Sequence, residues 1–424
     1  MLSERLEHVV RFLSILALSL HFMGCQATVE TRETGSTARP SAVDASIEPQ
    51  EAAVETKRAE PTALDHLRSQ LAERFDRWAD DPTEYAARVR SECRRFPEGD
   101  LFPFTLPAMA YAQMVYEEPA RRGAALERMA PLLDRAVTAT AAKVRAPGGD
   151  LTRLQSYGGH GAYLGQLNLA LGSWRLAGGD GRYDALQAHL TDILDAALSE
   201  RDGLPIRSFP AGLTWPFDSV AAIVSVAAFD RHASTTRAQP LLATHRRWVE
   251  SAGTEAATKL PVSRVAVNGR VLSGPRGCDL SWRVSLLAQV DEPYASALYE
   301  RYVEAHWVER DGIVGFSEWP RGRSGRADND SGPIIRGVGT TASALGLAAA
   351  AAAGDRDRLA RLADQAVLAS RALALGAMTD RRGTVGGFYR YDPDYLTGFL
   401  YGDVTLFYAV TWHRWPTPGT SRSR

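Results

Sequence analysis

The sequence predicts an all-α protein, an (α/α)6 toroid of about six helical hairpins with short β-hairpins or extended loops at the cavity mouth. Three observations predict it: two classes of helix alternate, they recur at one period, and the first and last helices lack partners. One class is apolar on nearly every side, as in VAAIVSVAAF at 220–229 and GVGTTASALGLAAAAAAG at 337–354. A helix apolar all round is buried all round. The other class is amphipathic: RLARLADQAVLASRALAL at 358–375 sets Leu359, Leu362, Ala363, Ala366 and Val367 on one stripe, which suits an outer wall.

Helices of the buried class are expected to start near residues 103, 160, 217, 279, 337 and 397, a step of about 59 residues. Turns from inner to outer helices carry Gly, Asp and Pro (GGDGRY at 178, QVDEP at 289, AGDRDR at 353). Turns leading back place a Gly-containing turn before a short extended apolar stretch, as in EGDLFPF at 98 and RDGIVGFSEW at 310. The inner helix near 397–414 has no outer partner after it, and the helix at 63–80 has no inner partner before it. Closing a ring pairs the two, whereas an open solenoid leaves both ends uncapped.

Composition sets further bounds. At 424 residues and 45% hydrophobic the chain can bury a large core. Its net charge of −1 and lack of a basic block give no electrostatic footprint for nucleic acid. Lys57, Lys143 and Lys259 are the only lysines, so arginine supplies nearly all the positive charge, a feature of genome composition. Three cysteines are too few for a disulfide scaffold; a Cys93–Cys278 pair is left open.

Residues 12–24, FLSILALSLHFMG, form an apolar run of signal-peptide length, short of the ~20 residues that a spanning helix needs. The run resembles a bacterial lipoprotein signal, with Gly24 before Cys25 as the lipidation site. Gln26 after Cys25 then implies the outer membrane, on the periplasmic or surface side of the cell envelope, and the lipid is the expected membrane contact. An ordinary signal peptide or an uncleaved anchor is the plainer alternative. The expected organisation is a signal peptide at 1–25, a disordered tether at 26–61, a single toroid domain at 62–415 and a disordered tail at 416–424. The tether is rich in Ser, Thr, Pro and Glu and lacks aromatics, so it buries too little apolar surface to offset its ordering entropy.

In such a ring the loops from outer to inner helices gather at one mouth, where helix N-termini favour anions and polar ligands. His160, Asp218, Asp279 and Asp330 are expected at equivalent inner-helix starts. Simple N-capping explains any one of them, less well Asp218, which follows Pro216 and so falls inside a first turn. Asp328 and Asp330 share one short loop, and paired carboxylates split into acid and base when their environments differ. Asp218 and Asp330 are the leading catalytic pair, with Glu318, Asp328 and Asp403 in reserve. Glu318, between Phe316 and Trp319, is a candidate general acid or an exposed loop residue. Asp403 enters an apolar helix and must face the cavity or a buried partner. Tyr157, His160, Tyr163, Trp215, Asp279, Trp282, Arg283 and Trp319 are the candidate ligand-binding set, with Tyr389 a further stacking candidate; each aromatic is individually as well explained by packing. Cys278 is a possible reactive thiol or a buried inert one. No HExxH, CxxC or paired-His spacing occurs, and neither a metal nor a cofactor is expected.

The runs SYGGHGAYLGQL at 156–167, FPAGLTWPFDS at 209–219 and DNDSGPIIRGVG at 328–339 resemble those of bacterial toroid proteins akin to the linalool dehydratase/isomerase domain. More broadly, residues 63–415 are similar to six-hairpin glycosidase-like proteins. The resemblance implies acid/base tyrosine, histidine, aspartate and cysteine side chains around a central cavity, to which Tyr157, His160, Asp218 and Cys278 correspond on local pattern. Two functions are therefore expected as alternatives. One is an exported, cofactor-free lyase- or hydrolase-like enzyme using carboxylate acid/base chemistry on a glycan or an isoprenoid-like alcohol. The other is a non-catalytic envelope lipoprotein that binds a glycan or a partner protein at the same mouth. A glycan requires an open cleft with aromatic platforms and several charges, an isoprenoid a closed and mostly apolar cavity.

Overall fold

The computed structural model describes residues 61–93, 98–376, 378–379, 384–385 and 389–417. The expected signal peptide, Cys25 and the tether lie outside the described residues. Thr62–Arg424 form one compact unit. Its described residues are mostly helical, with thirteen α-helices and only short antiparallel strand pairs.

Six helices carry the buried, all-round apolar character: α3 (Phe102–Glu117), α5 (Gly161–Leu176), α7 (Pro216–Ala233), α9 (Gly277–Leu287), α11 (Thr340–Ala353) and α13 (Leu400–Val410). Amphipathic helices run between or before them: α1 (Ala63–Asp80), α4 (Arg122–Val144), α6 (Asp184–Glu200), α8 (Ala238–Ser251), α10 (Glu292–His306) and α12 (Arg356–Ala374). A short helix, α2 (Pro82–Glu92), follows α1. Each buried helix packs on the next, α3 on α5, α5 on α7, α7 on α9, α9 on α11 and α11 on α13, and α13 packs back on α3. Helix α1 packs on α13 and on α12, so the two expected orphans meet.

Helix starts are capped by the residues the sequence offers. Thr62 and Asp65 form a capping box at α1, and Asp81, Asp291 and Asp355 cap α2, α10 and α12. Small residues set the closest approach between buried helices: a Cβ on Gly172 would lie 2.7 Å from the Ala228 Cβ across the α5–α7 contact. Gly172→Val is therefore expected to cost about 1–3 kcal/mol by overpacking. Gly123, exposed in α4 with nothing within 4 Å of a built Cβ, gains from Ala by helix propensity. A denaturant series checks the pair, and equal midpoints for the two variants would contradict the packing argument.

Among the described residues, four two-stranded antiparallel pairs punctuate the loops. They are β1 (Arg264–Val265) with β2 (Val271–Ser273), β3 (Trp307–Arg310) with β4 (Ile313–Phe316), β5 (Ile334–Ile335) with β6 (Val338–Gly339), and β7 (Thr384–Val385) with β8 (Tyr389–Arg390). The β3–β4 turn is Asp311–Gly312, both at positive φ, as a two-residue hairpin turn requires. The β5–β6 hairpin corrects one expectation. Gly337–Gly339 do not open an inner helix; they close a hairpin, and α11 starts only at Thr340. Asp330 thus sits in a loop before the hairpin, not at a helix start equivalent to Asp218 and Asp279.

Candidate functional site

The loop-to-helix junctions carry the titratable groups. Pro216 opens α7 after an N-cap residue, Trp215, that makes no side-chain cap, and Asp218 falls in the first turn. Asp218 is 6% exposed, and burial lifts its carboxyl to about 7; the Asp330 and Asp279 carboxylates push the same way, against the Ser208 hydroxyl and Arg283. Asp330, part-exposed on its loop, rises to about 6, through burial and then through Asp328 beside it. The third member was missed by sequence reasoning. Glu98, in the turn before α3, is held well above the usual carboxylate range by burial and then by the charges of Asp330 and Asp218. Asp330 therefore acts on both Asp218 and Glu98, three carboxyl groups from distant segments whose pKa values all rise above the ordinary carboxylate range.

Aromatic side chains lie beside these acids. Tyr401, in the first turn of α13, and Tyr389, on β8, have hydroxyls raised first by burial and then by Asp330. Tyr389 also donates to the Asn329 carbonyl at 2.7 Å, which ties β8 to the loop that carries Asp330. Trp282 is 6% exposed and packs against Phe217 at 4.7 Å and Phe102 at 5.2 Å. That makes it a wall of the core rather than an open platform. Tyr163, Phe209 and Trp215 form an edge-to-face row with centroid spacings of 6.2 and 5.6 Å. Its end is polar: Tyr163 donates to Asp100 at 3.3 Å, and Lys143 lies 3.5 Å from Asp100. His160 occupies the N-cap position of α5 but makes no cap bond, and its buried Nδ1 has no partner. Burial, then Arg207 and Lys143, hold its pKa down, favouring the neutral ring. Tyr157 is half-buried against the core, and its carbonyl accepts from the His160 N–H.

Other candidates have different duties. Arg283 is 1% exposed and holds Asp279 through two 2.9 Å bonds, an i,i+4 pair on α9. The pair, both members of the candidate ligand-binding set, neutralises a buried charge that acts on Asp218. Glu318 is not an exposed loop residue. It is fully buried, bonded to Arg276 at 2.6 Å, and accepts from the Cys278 N–H and thiol at 3.1 and 3.2 Å. Arg276 also binds Asp328 at 2.8 Å, and this pairing holds the half-exposed Asp328 low against its partial desolvation. Asp328 is thus a tether for the Asp330 loop rather than an acid. Trp319 lies under Arg276, 5.4 Å from guanidinium to ring centroid. Burial and Glu318 push the Cys278 thiol far up, which makes it inert. Cys93 and Cys278 are both buried free thiols, so the pairing left open is not made.

Asp403 is also accounted for structurally. Its carboxylate accepts from the Leu396 N–H at 2.9 Å, the Thr397 N–H at 2.7 Å and the Thr397 hydroxyl at 2.8 Å. It organises the turn that enters α13 and is spent on that turn. Among the described residues no three His, Cys, Asp or Glu side chains are grouped to hold a metal ion.

Chemically, the set can give and take protons. The higher group, Asp218, retains a proton where Asp330 has begun to lose its own, the division of labour that acid/base catalysis needs. A scan of the chain against known family models finds no match, and a search of curated proteins finds no similar sequence.

Proposed function

We propose that this protein is an exported (α/α)6-toroid enzyme that cleaves a glycan by carboxylate acid/base chemistry. The observation that carries the reading is the grouping of Asp330 with Asp218 and Glu98, both of which its charge pushes up, with Asp218 near 7 and Asp330 near 6. The cyclic packing order of the six buried helices supports the toroid. Resemblance to linalool dehydratase/isomerase-like and six-hairpin glycosidase-like proteins points the same way. Of the two substrate classes, the polar side chains of Glu98, Asp330, Lys143 and Arg207 favour a polyhydroxylated ligand over an isoprenoid alcohol, which would call for an apolar lining. The part-exposed Trp215 and Tyr389 supply stacking faces.

In this mechanism Asp218 gives its proton to the glycosidic oxygen as the C–O bond breaks. Asp330, ionised first, takes a proton from water, whose oxygen forms the new C–O bond. Glu98, whose carboxyl burial and the neighbouring acids push up, is placed to hydrogen-bond ligand hydroxyls. His160 and Tyr163 orient the ligand from the neighbouring junction. A polysaccharide panel read for new reducing ends tests the proposal, and an unsaturated product end would shift the reading from hydrolysis to elimination. Saturable binding with no product from any member would leave the binding module as the function.

The anchor is a separate proposal, resting on Gly24–Cys25 and the short apolar run before it. Among the described residues no helix is long and apolar enough to cross a membrane. Palmitate labelling of the intact chain is expected, with the label lost in Cys25→Ala; an unlabelled wild type would sink the lipoprotein reading.

A further inference from the structure

A cleft of about 350 Å³ opens between α8 and α10, on residues separate from the acid cluster. Arg246, Lys259 and Arg301 line it together with Tyr294 and Pro261, and Glu250 is its one lining carboxylate. The three cations differ in how they are held. Arg246 is fixed by Glu250 at 2.8 Å and Asp291 at 3.4 Å, and its guanidinium lies over the Tyr294 ring at 4.6 Å. Arg301 and Lys259 have no ion-pair partner among the described residues, and the buried Arg301 Nε has no hydrogen-bond partner.

The loop that presents Lys259 is held by its own hydrogen bonds. Thr254 and Pro261 pair across it, Glu255 N–H donates to the Leu260 carbonyl at 2.9 Å, and the Thr258 hydroxyl donates to Glu255 at 2.8 Å. Lys259 itself sits at φ 56, a left-handed conformation that costs a non-glycine residue free energy. A hydrogen-bonded turn thus sets Lys259 at the rim of the cleft. The surplus of positive charge selects an oxyanion. The volume falls within the ~300–1,000 Å³ of small-molecule sites, more than a bare ion fills, and Tyr294 and Pro261 add apolar faces for a ring.

We propose that this cleft binds an oxyanion, a sulfate ester or a uronate carboxylate, carried on a sugar ring of an acidic glycan. The ligand class rests on the glycan reading of the acid cluster; the site does not. Titration calorimetry at constant ionic strength would use a heparin-derived tetrasaccharide, an oligogalacturonate and a neutral cello-oligosaccharide. One acidic probe is expected to saturate, and which one does identifies the oxyanion. Lys259→Asn, which tolerates the left-handed backbone, and Arg301→Gln are each expected to weaken it about tenfold. Asp218→Asn is expected to leave it unchanged. Since Lys259 is exposed, its variant keeps the test decisive if Arg301→Gln does not fold. Equal affinity in wild type and Lys259→Asn, loss in Asp218→Asn, or equal binding of the neutral probe would each overturn the site. Turnover of a neutral polysaccharide reports on the acid cluster alone, so the two proposals fail separately.

Discussion

Asp218→Asn is expected to lower kcat on the susceptible glycan by about 10²–10⁴-fold, the usual contribution of a positioned general acid, while raising the stability of the folded protein at neutral pH. The second half follows from linkage. The carboxyl titrates from 3.8 to about 7 on folding, so between those values the native state holds a proton that the unfolded chain has released. Stability conferred by the neutral carboxyl is full below pH 4 and is lost as pH rises toward 7. Asn carries no charge to bury, so the variant escapes that loss. A structural acid behaves differently, because its replacement lowers stability and activity together. Melting temperatures at pH 5 and pH 8, measured beside kcat, separate the cases. A variant less stable than wild type at pH 8, with kcat unchanged, would remove Asp218 from the chemistry.

The same assignment fixes the shape of the pH profile. Asp330 must be ionised, which it is above about 6, and Asp218 protonated, which it is below about 7. Activity is expected to peak in the narrow window between them and to fall on both sides, with apparent values that belong to the coupled set including Glu98. Residual activity of Asp218→Asn should lose the alkaline limb and keep the acid one.

Particular residues explain what the sequence could and could not reveal. The buried helices were legible because a run such as VAAIVSVAAF has no polar face to turn outward. Asp218 was legible because Pro216 marks the first helical residue. Asp330 was misplaced because the Ala-rich run after Thr340 reads as one helix back to Gly337. A pairing of Ile334–Ile335 with Val338–Gly339 leaves no periodic trace in so few residues. Glu98 was hidden in EGDLFPF, where Glu-Gly-Asp reads as a turn; its perturbation comes from charges remote along the chain, which no local pattern carries. The Asp279–Arg283 pair was available in principle, since opposite charges at i and i+4 face each other on a helix.

The largest expected effect on stability belongs to Arg276. Among the described residues it is the sole cation bonded to Glu318, which is fully buried, and it also grips Asp328 at the base of the loop that carries Asp330. Arg276→Met removes the partner and leaves the carboxyl in a low-dielectric site, a change that costs about 3–5 kcal/mol. Glu318 is already raised by burial against the opposing pull of Arg276; without that pull it rises further. Protonation then relieves the unpaired charge, so the loss should be smaller at pH 5 than at pH 8. Glu318→Gln in the same chain removes the charge outright and should recover much of the stability at pH 8. It should not recover kcat, because the Asp328 anchor is still missing and the Asp330 loop is no longer held. A double-mutant cycle in denaturant, read beside kcat, distinguishes this from simple loss of packing. Additive effects of the two substitutions at pH 8 would mean that the ion pair is not what holds this junction together.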